Sequence, residues 1–554
     1  MSTTIETLPQ LIRKASKEAG NQTALITENA RLTYAELADL VDRYARSLVA
    51  YGVTKGTRVG LLMENSIEWV AFSFATTGLG AILVPISTFA KSAEIDYQLR
   101  HADVSLLFST SRFLKTDYVS VLNELLSGCR LTSQGDIYCD RLPFLRKVVI
   151  LGRDAGAPPN AYRSWEEFES AGEAVPVAIT RAMADQVDPE DECYLLYTSG
   201  TTANPKGVLH RQKSIVRNGI LIGRHQMLMP DDVVWFYYPF FFCAGCVNVL
   251  LGTFSNHAAL IVQPAFDPGK AVELIDRERA TTWHAWPHQI KALTSHPSWR
   301  ELDHSLLHKG TGALDLGLKL GERFGGVGGV GMYGMTETCT AFTCTYANEP
   351  ATVRARTCGR VMDSNEVKIV DPETGSVLEN GITGEICVSG PSVMRRYYKV
   401  DPETTFDEQG FFHTGDLGYL DEDERLHFLQ RKKDMIKSGG INISPADIES
   451  TLSRMEGVQE AFAFPIPGGD RGELVGAAIV TRGTIDAEKL VEFCRESFSA
   501  HKRPSSVLIV RREELPMTGS GKVQKVKLAE TLLRECAEGS DRCVAVKVLE
   551  RGVG

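Results

Sequence analysis

Apolar residues recur with two different periods along the first 90 positions of the chain. Between residues 37 and 48 they fall on one face of a helix, at Leu37, Leu40, Val41, Tyr44, Ala45 and Leu48. Apolar runs at 59–63 and 81–85 predict strands, and the segment 67–77 between them predicts a helix. Helices that alternate with strands predict parallel sheets covered by helices, and therefore an α/β fold.

The stretch from Trp69 to Ala90 contains no charged residue, so a membrane span has to be considered. Gly78, Gly80 and Pro85 interrupt it, which favours a buried helix followed by a strand. The first residues of the chain also lack the basic and apolar regions of a signal peptide. We therefore expect no membrane span.

Composition narrows the class of protein further. A chain of 554 residues is too long for one core and predicts at least two domains. Its 60 basic and 70 acidic residues give a net charge of −10, which excludes the basic footprint of a nucleic-acid-binding protein. The 12 cysteines are scattered, and a reduced cytoplasm is the simplest setting for them.

A small-residue segment, Tyr197 to Gly207 (YTSGTTANPKG), follows a strand-like run at 193–197. Beyond it, the pattern from Val208 to Ile222 predicts a helix. Small residues let backbone N–H groups surround phosphate oxygens, and hydroxyls and a lysine add donors and charge. The Walker spacing is absent, and a solvated loop is the alternative. Its position after a strand, and its Pro-Lys-Gly end, favour a phosphate-binding loop.

Further short motifs follow in the chain. They are a Lys-Gly-Thr-Gly-Ala run at 309–313, a glycine-rich run at 325–331 that leads into Tyr-Gly-Met-Thr-Glu at 333–337, Thr-Gly-Asp at 414–416, a long polar segment at 430–449, and a Gly-flanked Lys522. The glycine-rich run, the Thr-Gly-Asp turn and the single lysine are weak evidence alone, but Tyr-Gly-Met-Thr-Glu at 333–337 is specific. Together with the phosphate loop, and in this order, they resemble the adenylate-forming superfamily of acyl-CoA synthetases, nonribosomal adenylation domains and luciferases over roughly residues 10–527.

The resemblance implies an α/β architecture of two domains. A large N-terminal domain of layered α/β sheets, residues 1–432, would carry the ATP and acyl sites. A small mobile α+β domain, residues 433–554, would carry Lys522 and turn about Lys433 as a hinge. Residues after about Ala529 are predicted to be a loosely attached tail.

The resemblance also assigns the nucleotide site. Tyr333 would stack on adenine, Thr336 would bind the α-phosphate, Glu337 would hold Mg²⁺, and Lys522 would reach the reacting carboxylate and α-phosphate. The residues implied to bind ATP, AMP or CoA are Thr198, Ser199, Gly200, Thr201, Thr202, Lys206, Gly312, Ala313, Tyr333, Gly334, Met335, Thr336, Asp416, Arg431, Gly439 and Gly440. In this family Asp416 and Arg431 would hold the ribose hydroxyls.

The chain departs from the family pattern at three of these motifs. Ala203 replaces a glycine of the phosphate loop, and Gln430 replaces a glycine at the domain boundary. Phe242 stands where a Pro-x-Phe-His-x-x-Gly motif has histidine and where amino-acid-activating relatives have aspartate. An ammonium group left unpaired in a dry pocket costs several kcal/mol, which argues against an α-amino acid substrate.

The implied acyl pocket combines aromatic and small residues: Phe241, Phe242, Cys243, Gly245, Trp286 and Gly331. It predicts a bulky, mostly apolar acid, although aromatics that form plain core and glycines that form a surface turn remain an alternative. Cys243 and Cys246 form a Cys-x-x-Cys motif. No second such pair exists in the sequence, which disfavours a metal or disulfide role for this pair.

The implied reaction joins a carboxylic acid to CoA in two steps, with ATP converted to AMP and pyrophosphate. Ala203 leaves open an enzyme that uses only preformed acyl-AMP, and a carrier-protein pantetheine is an alternative acceptor. A non-catalytic binding protein is disfavoured because Thr336, Glu337, Asp416, Arg431 and Lys522 are all present. The expected partners are a small carboxylic acid, CoA and a second copy in a homodimer, and the pattern does not identify the acid.

Overall fold

The computed structural model describes residues 5–132, 136–151, 162–198, 205–302, 306–311, 328–438, 441–468, 473–481, 483–499, 502–518 and 521–546. The chain forms two compact units. The first contains residues 1–367, 388–412 and 422–426, and the second contains 368–387, 413–421 and 427–554. This division follows backbone contacts and cuts through a sheet, so the boundary predicted at residues 432 and 433 stays a prediction.

Two large sheets organise the first unit. The spatial order of the larger one is Arg163–Ser164, Lys147–Leu151, Leu106–Thr110, Arg58–Leu62, Ile82–Pro85, Glu192–Tyr197, Gly207–Arg211 and Arg396–Tyr397. The order of the other is Lys309–Thr311, Thr282–His284, Val233–Phe236, Ala259–Ile261, Thr23–Ile26 and Arg31–Thr33. Most neighbouring strands are parallel, as the alternating pattern predicted.

In its described residues the first unit contains the α-helices Leu8–Ala19, Tyr34–Ala50, Ile67–Gly78, Ser92–His101, Tyr118–Leu125, Trp165–Ala171, Val177–Asp185, Gln212–His225, Leu250–Phe254, Pro268–Arg277, Pro287–Ser295 and Ala351–Arg356. The predicted face of Tyr34–Ala50 is buried at all six positions, and a capping box between Thr33 and Glu36 begins this helix. Helix Ile67–Gly78 is buried from Trp69 to its end, which explains its lack of charge. None of the helices in the described ranges is long and apolar enough to cross a bilayer.

Smaller elements complete the first unit. Three antiparallel strands are Met332–Tyr333, Thr343–Cys344 and Arg360–Val361, and two hairpins pair Arg112–Phe113 with Thr116–Asp117 and Arg130–Leu131 with Ile137–Tyr138. The second hairpin brings Cys129 and Cys139 together as a disulfide, and Cys536 and Cys543 form another in the second unit. The expectation that the cysteines are reduced is therefore met only by the remaining eight.

The second unit is α+β. It holds most of a four-stranded sheet, Glu366–Val370, Gly384–Ser389, Phe412–Leu420 and Leu426–Arg431, and a hairpin of Ile436–Ser438 and Ile441–Ile443. A second four-stranded sheet contains Val458–Pro467, Glu473–Thr481, Ser506–Val510 and Cys543–Ala545 and packs with helices Pro445–Leu452, Ala487–Ser497 and Lys525–Ala537.

Two local predictions are wrong. Residues Gly207–Arg211 form a strand, and the helix begins only at Gln212, because this segment pairs with strands on both sides. The predicted loose tail after Ala529 is also wrong as far as residue 546. Helix Lys525–Ala537 buries Leu528 and Leu532, and strand Cys543–Ala545 pairs with Ser506–Val510.

Candidate active site

The two described ends of the phosphate-loop segment lie side by side. Strands Glu192–Tyr197 and Gly207–Arg211 are antiparallel neighbours, with Tyr197 opposite Gly207. The Thr198 backbone N–H donates to the Lys206 carbonyl oxygen over 3.1 Å. Residues Ser199, Gly200, Thr201, Thr202 and Ala203 lie outside the described residues, as do Gly312, Ala313, Gly439 and Gly440.

The Tyr333–Glu337 motif leaves strand Met332–Tyr333 and enters a single 3₁₀ turn, Thr336–Thr338. The Met335 backbone N–H donates to the Thr338 hydroxyl over 2.9 Å and closes this turn. The Tyr333 ring is buried and meets Phe342 edge-on, with 5.4 Å between the ring centroids. The turn therefore holds Thr336 and Glu337 next to each other on an ordered backbone.

Tyr397 connects this turn to the phosphate loop. Its hydroxyl donates to Glu337 Oε1 over 2.8 Å, and Lys206 Nζ lies 4.5 Å from its ring centroid. Strand pairing explains the arrangement, because Tyr397 lies opposite Val208 on the edge strand. Burial, followed by the charge of Glu337, raises the pKa of Tyr397, so the phenol stays protonated and remains a donor. Sequence reasoning missed Tyr397, and its only signal was a run of basic and aromatic residues at 395–399.

His210 supports the same turn from the strand that follows the phosphate loop. Its Nε2 lies 2.8 Å from the Thr336 carbonyl oxygen, and burial lowers its pKa to about 4. The imidazole is therefore neutral at neutral pH and donates its Nε2 proton to that oxygen. Sequence reasoning also missed this residue, which has no distinctive sequence neighbours.

The predicted acyl-pocket aromatics lie together. The ring centroid of Phe242 lies 4.7 Å from that of Phe241 and 6.1 Å from that of Trp286, and Trp286 also contacts Tyr238. Phe89 extends this cluster to the surface, because its ring meets Phe241 and is 43% exposed. The arrangement is a continuous aromatic cluster that reaches solvent at Phe89.

The two glycines assigned to the acyl pocket are explained by backbone packing. A Cβ added at Gly245 would lie 2.4 Å from the Pro239 carbonyl oxygen, and one at Gly331 would lie 2.3 Å from the Thr357 carbonyl oxygen. Each position therefore excludes a side chain whether or not a ligand is bound. Cys243 is buried, and burial raises the pKa of its thiol.

The second unit brings Asp416, Arg431 and Lys522 together. Asp416 is 4% exposed, and its Oδ1 lies 3.5 Å from Arg431 Nε. The Lys522 side chain is exposed, but surrounding protein atoms, followed by the charge of Arg431, lower the pKa of its ammonium group, while Asp416 opposes the shift. Lys433 lies in the 3₁₀ turn Lys432–Asp434, directly after the strand that ends at Arg431.

Comparison with known proteins identifies the family. The model of the AMP-binding enzyme family matches residues 12–398, and that of the AMP-binding enzyme C-terminal domain matches residues 447–522. The chain belongs to the AMP-binding enzyme family.

Curated relatives of this AMP-binding enzyme cover almost its whole length. One relative, from Mycobacterium tuberculosis, is 32% identical over 536 residues, which are 95% of this chain and 99% of that protein. It is named as a 7a-methyl-1,5-dioxo-octahydro-1H-inden-4-yl-propanoyl:CoA ligase. The acyl-CoA ligase sidI of Aspergillus fumigatus is 31% identical over 570 residues, or 98% and 92% of the two chains. A medium-chain acyl-CoA ligase of Rattus norvegicus mitochondria is 29% identical, with coverages of 95% and 88%.

Solved structures of similar fold include two with bound nucleotide. The anthranilate CoA ligase AuaEII in complex with anthranoyl-AMP is 26% identical, with a TM-score of 0.79 and coverages of 96% and 98%. ATP-bound MatB from Rhodopseudomonas palustris is 26% identical, with a TM-score of 0.78 and coverages of 95% and 99%. The chain is thus an acid–thiol ligase of the acyl-CoA synthetase type, with a large N-terminal and a small C-terminal domain.

Proposed function

We propose that this ligase converts a bulky, mostly apolar carboxylic acid, aromatic or polycyclic, to its CoA thioester. The observation that carries the proposal is the cluster of Phe89, Phe241, Phe242, Tyr238 and Trp286, whose aromatic surface reaches solvent at Phe89. The names of two relatives agree with it, since one is named for an octahydroindenyl propanoyl group and another for anthranilate.

In the proposed first step, a carboxylate oxygen attacks the α-phosphorus of ATP, and pyrophosphate leaves. Both reactants are anionic, so catalysis requires positive charge and donors close to the α-phosphate. We assign Thr336 and Lys522 to the α-phosphate, and Lys206 to the phosphates at the end of its loop. Tyr397 positions Lys206 and Glu337 through the contacts of its ring and hydroxyl.

A magnesium ion fits the carboxylate of Glu337 by ligand chemistry. Carboxylate oxygens are ligands that Mg²⁺ prefers, and one oxygen of Glu337 is already oriented by the Tyr397 hydroxyl. When bound, the metal would neutralise phosphate charge. Asp416 would accept hydrogen bonds from the ribose hydroxyls, with Arg431 Nε 3.5 Å from its Oδ1.

In the second step, the CoA sulfur attacks the carbonyl carbon of the acyl-AMP, AMP leaves, and the thiol proton is released. We propose that the C-terminal domain turns about Lys433 between the two steps, with Gly439 and Gly440 near the CoA channel. Transfer of preformed acyl-AMP alone is not favoured by the relatives, which are named as CoA ligases. The carrier-protein acceptor has no support among those names.

The test is a library of acids assayed for CoA thioester formation with ATP. Bulky aromatic or polycyclic acids should exceed acetate by at least roughly tenfold in kcat/KM, a difference of about 1.4 kcal/mol in transition-state binding. Trp286→Ala should remove most of this preference, whereas Phe144→Ala, a matched change at a 47% exposed phenylalanine, should leave it unchanged. Best turnover with acetate would contradict the proposed substrate class.

Assembly and location are separate proposals. We propose a homodimer in the cytoplasm, which light scattering and cell fractionation can each test. Holo-carrier protein and CoA should be compared as acceptors of synthetic acyl-AMP, and faster transfer to the carrier would contradict CoA as the acceptor.

A further inference from the structure

Three potential metal ligands from distant parts of the chain meet beside the Thr336–Thr338 turn. His210 lies on strand Gly207–Arg211, Cys243 directly precedes the helical turn Ala244–Val249, and Cys339 directly follows the turn that carries Glu337. All three are buried, with exposures of 0%, 5% and 0%. One ring nitrogen of His210 and the two sulfur atoms lie within 4.8 Å of one another.

The hydrogen bonding of His210 suits a metal ligand. Its Nε2–H donates to the Thr336 carbonyl oxygen, which leaves the lone pair on Nδ1. Nδ1 is buried and has no hydrogen-bond partner among the residues that the structure describes. Histidines that bind metals through one ring nitrogen usually donate the other N–H to a carbonyl or carboxylate oxygen. The turn therefore supplies the outer hydrogen bond that such a site needs.

Cys339 is also held in place. Its backbone is in the left-handed region, with φ of 57°, and its carbonyl oxygen accepts a hydrogen bond from the Asn218 side chain. Its sulfur lies within 4.8 Å of the sulfur of Cys243. Cys243 is thus grouped with Cys339 and His210. The Cys-x-x-Cys motif had instead suggested Cys246 as its partner.

We propose that His210, Cys243 and Cys339 bind one thiophilic divalent metal ion of the Zn²⁺ class, with a fourth coordination position left for another ligand. Two sulfurs and an imidazole nitrogen are ligands that zinc prefers. In a tetrahedral zinc site the ligand atoms lie roughly 3.5–3.8 Å from one another. Side-chain rotations that move these nitrogen and sulfur atoms by about 1 Å would therefore bring them to the distances that zinc requires. An occupied site would connect the acyl-pocket segment to the turn that carries Thr336 and Glu337.

The test uses Co²⁺ as a spectroscopic substitute for Zn²⁺ on the full-length, chelator-treated and reduced protein. One equivalent of Co²⁺ should produce visible bands of a tetrahedral site and near-ultraviolet bands of two Co–thiolate bonds, and Zn²⁺ should abolish both. Cys243→Ala and Cys339→Ala should each weaken binding at least roughly 100-fold and reduce the thiolate bands. Cys344→Ala removes another buried cysteine and should leave the titration unchanged.

Two further measurements complete the test, and the second, on the wild-type protein, does not depend on the folding of any variant. His210→Gln should weaken binding while the thiolate bands persist. X-ray absorption of the wild-type Zn²⁺ protein should show two sulfur ligands at about 2.3 Å and one imidazole. Bands that survive in the Cys243/Cys339 double alanine variant, or a wild-type zinc spectrum without sulfur, would overturn the proposal. Because no readout needs turnover, these outcomes are independent of the proposed substrate class.

Discussion

Tyr397 is the residue whose contacts explain most about the candidate active site. Its ring lies against Lys206 and its hydroxyl orients Glu337, so one side chain positions two charged groups that we assign to the reaction. A hydrogen bond to a charged group contributes about 1.5–3 kcal/mol. Its loss should therefore be visible in the rate of adenylation.

Tyr397→Phe should lower acyl-AMP formation roughly 10- to 100-fold, because Glu337 loses the donor that orients it. Pyrophosphate release measures this step. Tyr398→Phe is the matched control, since the Tyr398 hydroxyl donates to Asp103 over 2.8 Å, away from Glu337. Equal effects of the two changes would show that Tyr397 acts only on stability.

Lys522 should act on adenylation and much less on thioester formation, because we assign its positive charge to the attack of the carboxylate on the α-phosphate. Lys522→Ala should lower acyl-AMP formation by ~10²–10⁴ while conversion of supplied acyl-AMP stays near wild type. Lys527→Ala, at an exposed lysine of the adjoining helix, should change neither step. Equal losses in both steps for Lys522→Ala would refute this division of roles.

At the scale of elements, the phosphate loop is held at both ends by paired strands, so its own residues decide how it meets ATP. If the loop needs a positive φ at position 203, Ala203 costs ~1–2 kcal/mol, a rate factor of roughly 5–30. Ala203→Gly should then raise pyrophosphate release severalfold. Thioester formation from synthetic acyl-AMP should not change, because acyl-AMP lacks the outer phosphates. A wild type that adenylates rapidly and gains nothing from glycine would rule this out.

Strand Thr282–His284 makes the first unit sensitive to acid. Burial lowers the pKa of His284 from 6.5 to about 3. In the unfolded chain this histidine gains its proton near pH 6.5, whereas in the folded chain it stays neutral. Stability is therefore full above pH 6.5 and falls as pH decreases towards 3, by about 2 kcal/mol at pH 5.

His284→Gln tests this dependence, because glutamine does not titrate. The wild type should lose stability relative to the variant between pH 7.5 and pH 5, as measured by thermal or urea unfolding at each pH. A stability difference between the two proteins that does not change over this range would contradict a neutral buried His284.

At the scale of the whole molecule, Lys522 lies in the second unit, where the charges of Arg431 and Asp416 act on its ammonium group. We assign these three residues to the adenylation step. The proposed rotation about Lys433 must separate these groups. Lys433→Pro restricts the backbone of residues 432 and 433 and should hinder rotation. Adenylation should be retained while thioester formation from acyl-AMP falls at least roughly tenfold.

Lys433→Ala is the control for this prediction, since it removes the side chain without restricting φ, and both steps should remain near wild type. If the proline variant forms thioester as fast as the alanine variant, a hinge at Lys433 is excluded. Rapid mixing with synthetic acyl-AMP and CoA measures the second step alone.

The local sequence pattern was sufficient to predict an element where its own consecutive residues determine its secondary structure. Helix Tyr34–Ala50 has its apolar face and its capping box in consecutive residues, and the sequence predicted its buried face. The motif at Tyr333–Glu337 and the family it indicates were likewise readable, because short loops carry their chemistry in adjacent residues. Whole-length comparison confirmed that family.

Pairing between distant segments decided the features that the sequence did not predict. Gly207–Arg211 is a strand, although its pattern predicted a helix, because strands on both sides supply its backbone partners. The same pairing brings Tyr397 to the phosphate loop across 189 positions of sequence, from Val208. His210, Cys243 and Cys339 likewise meet only in three dimensions. A sequence shows which groups a chain possesses, but contacts between distant segments depend on how sheets and turns pack, and no local pattern encodes them.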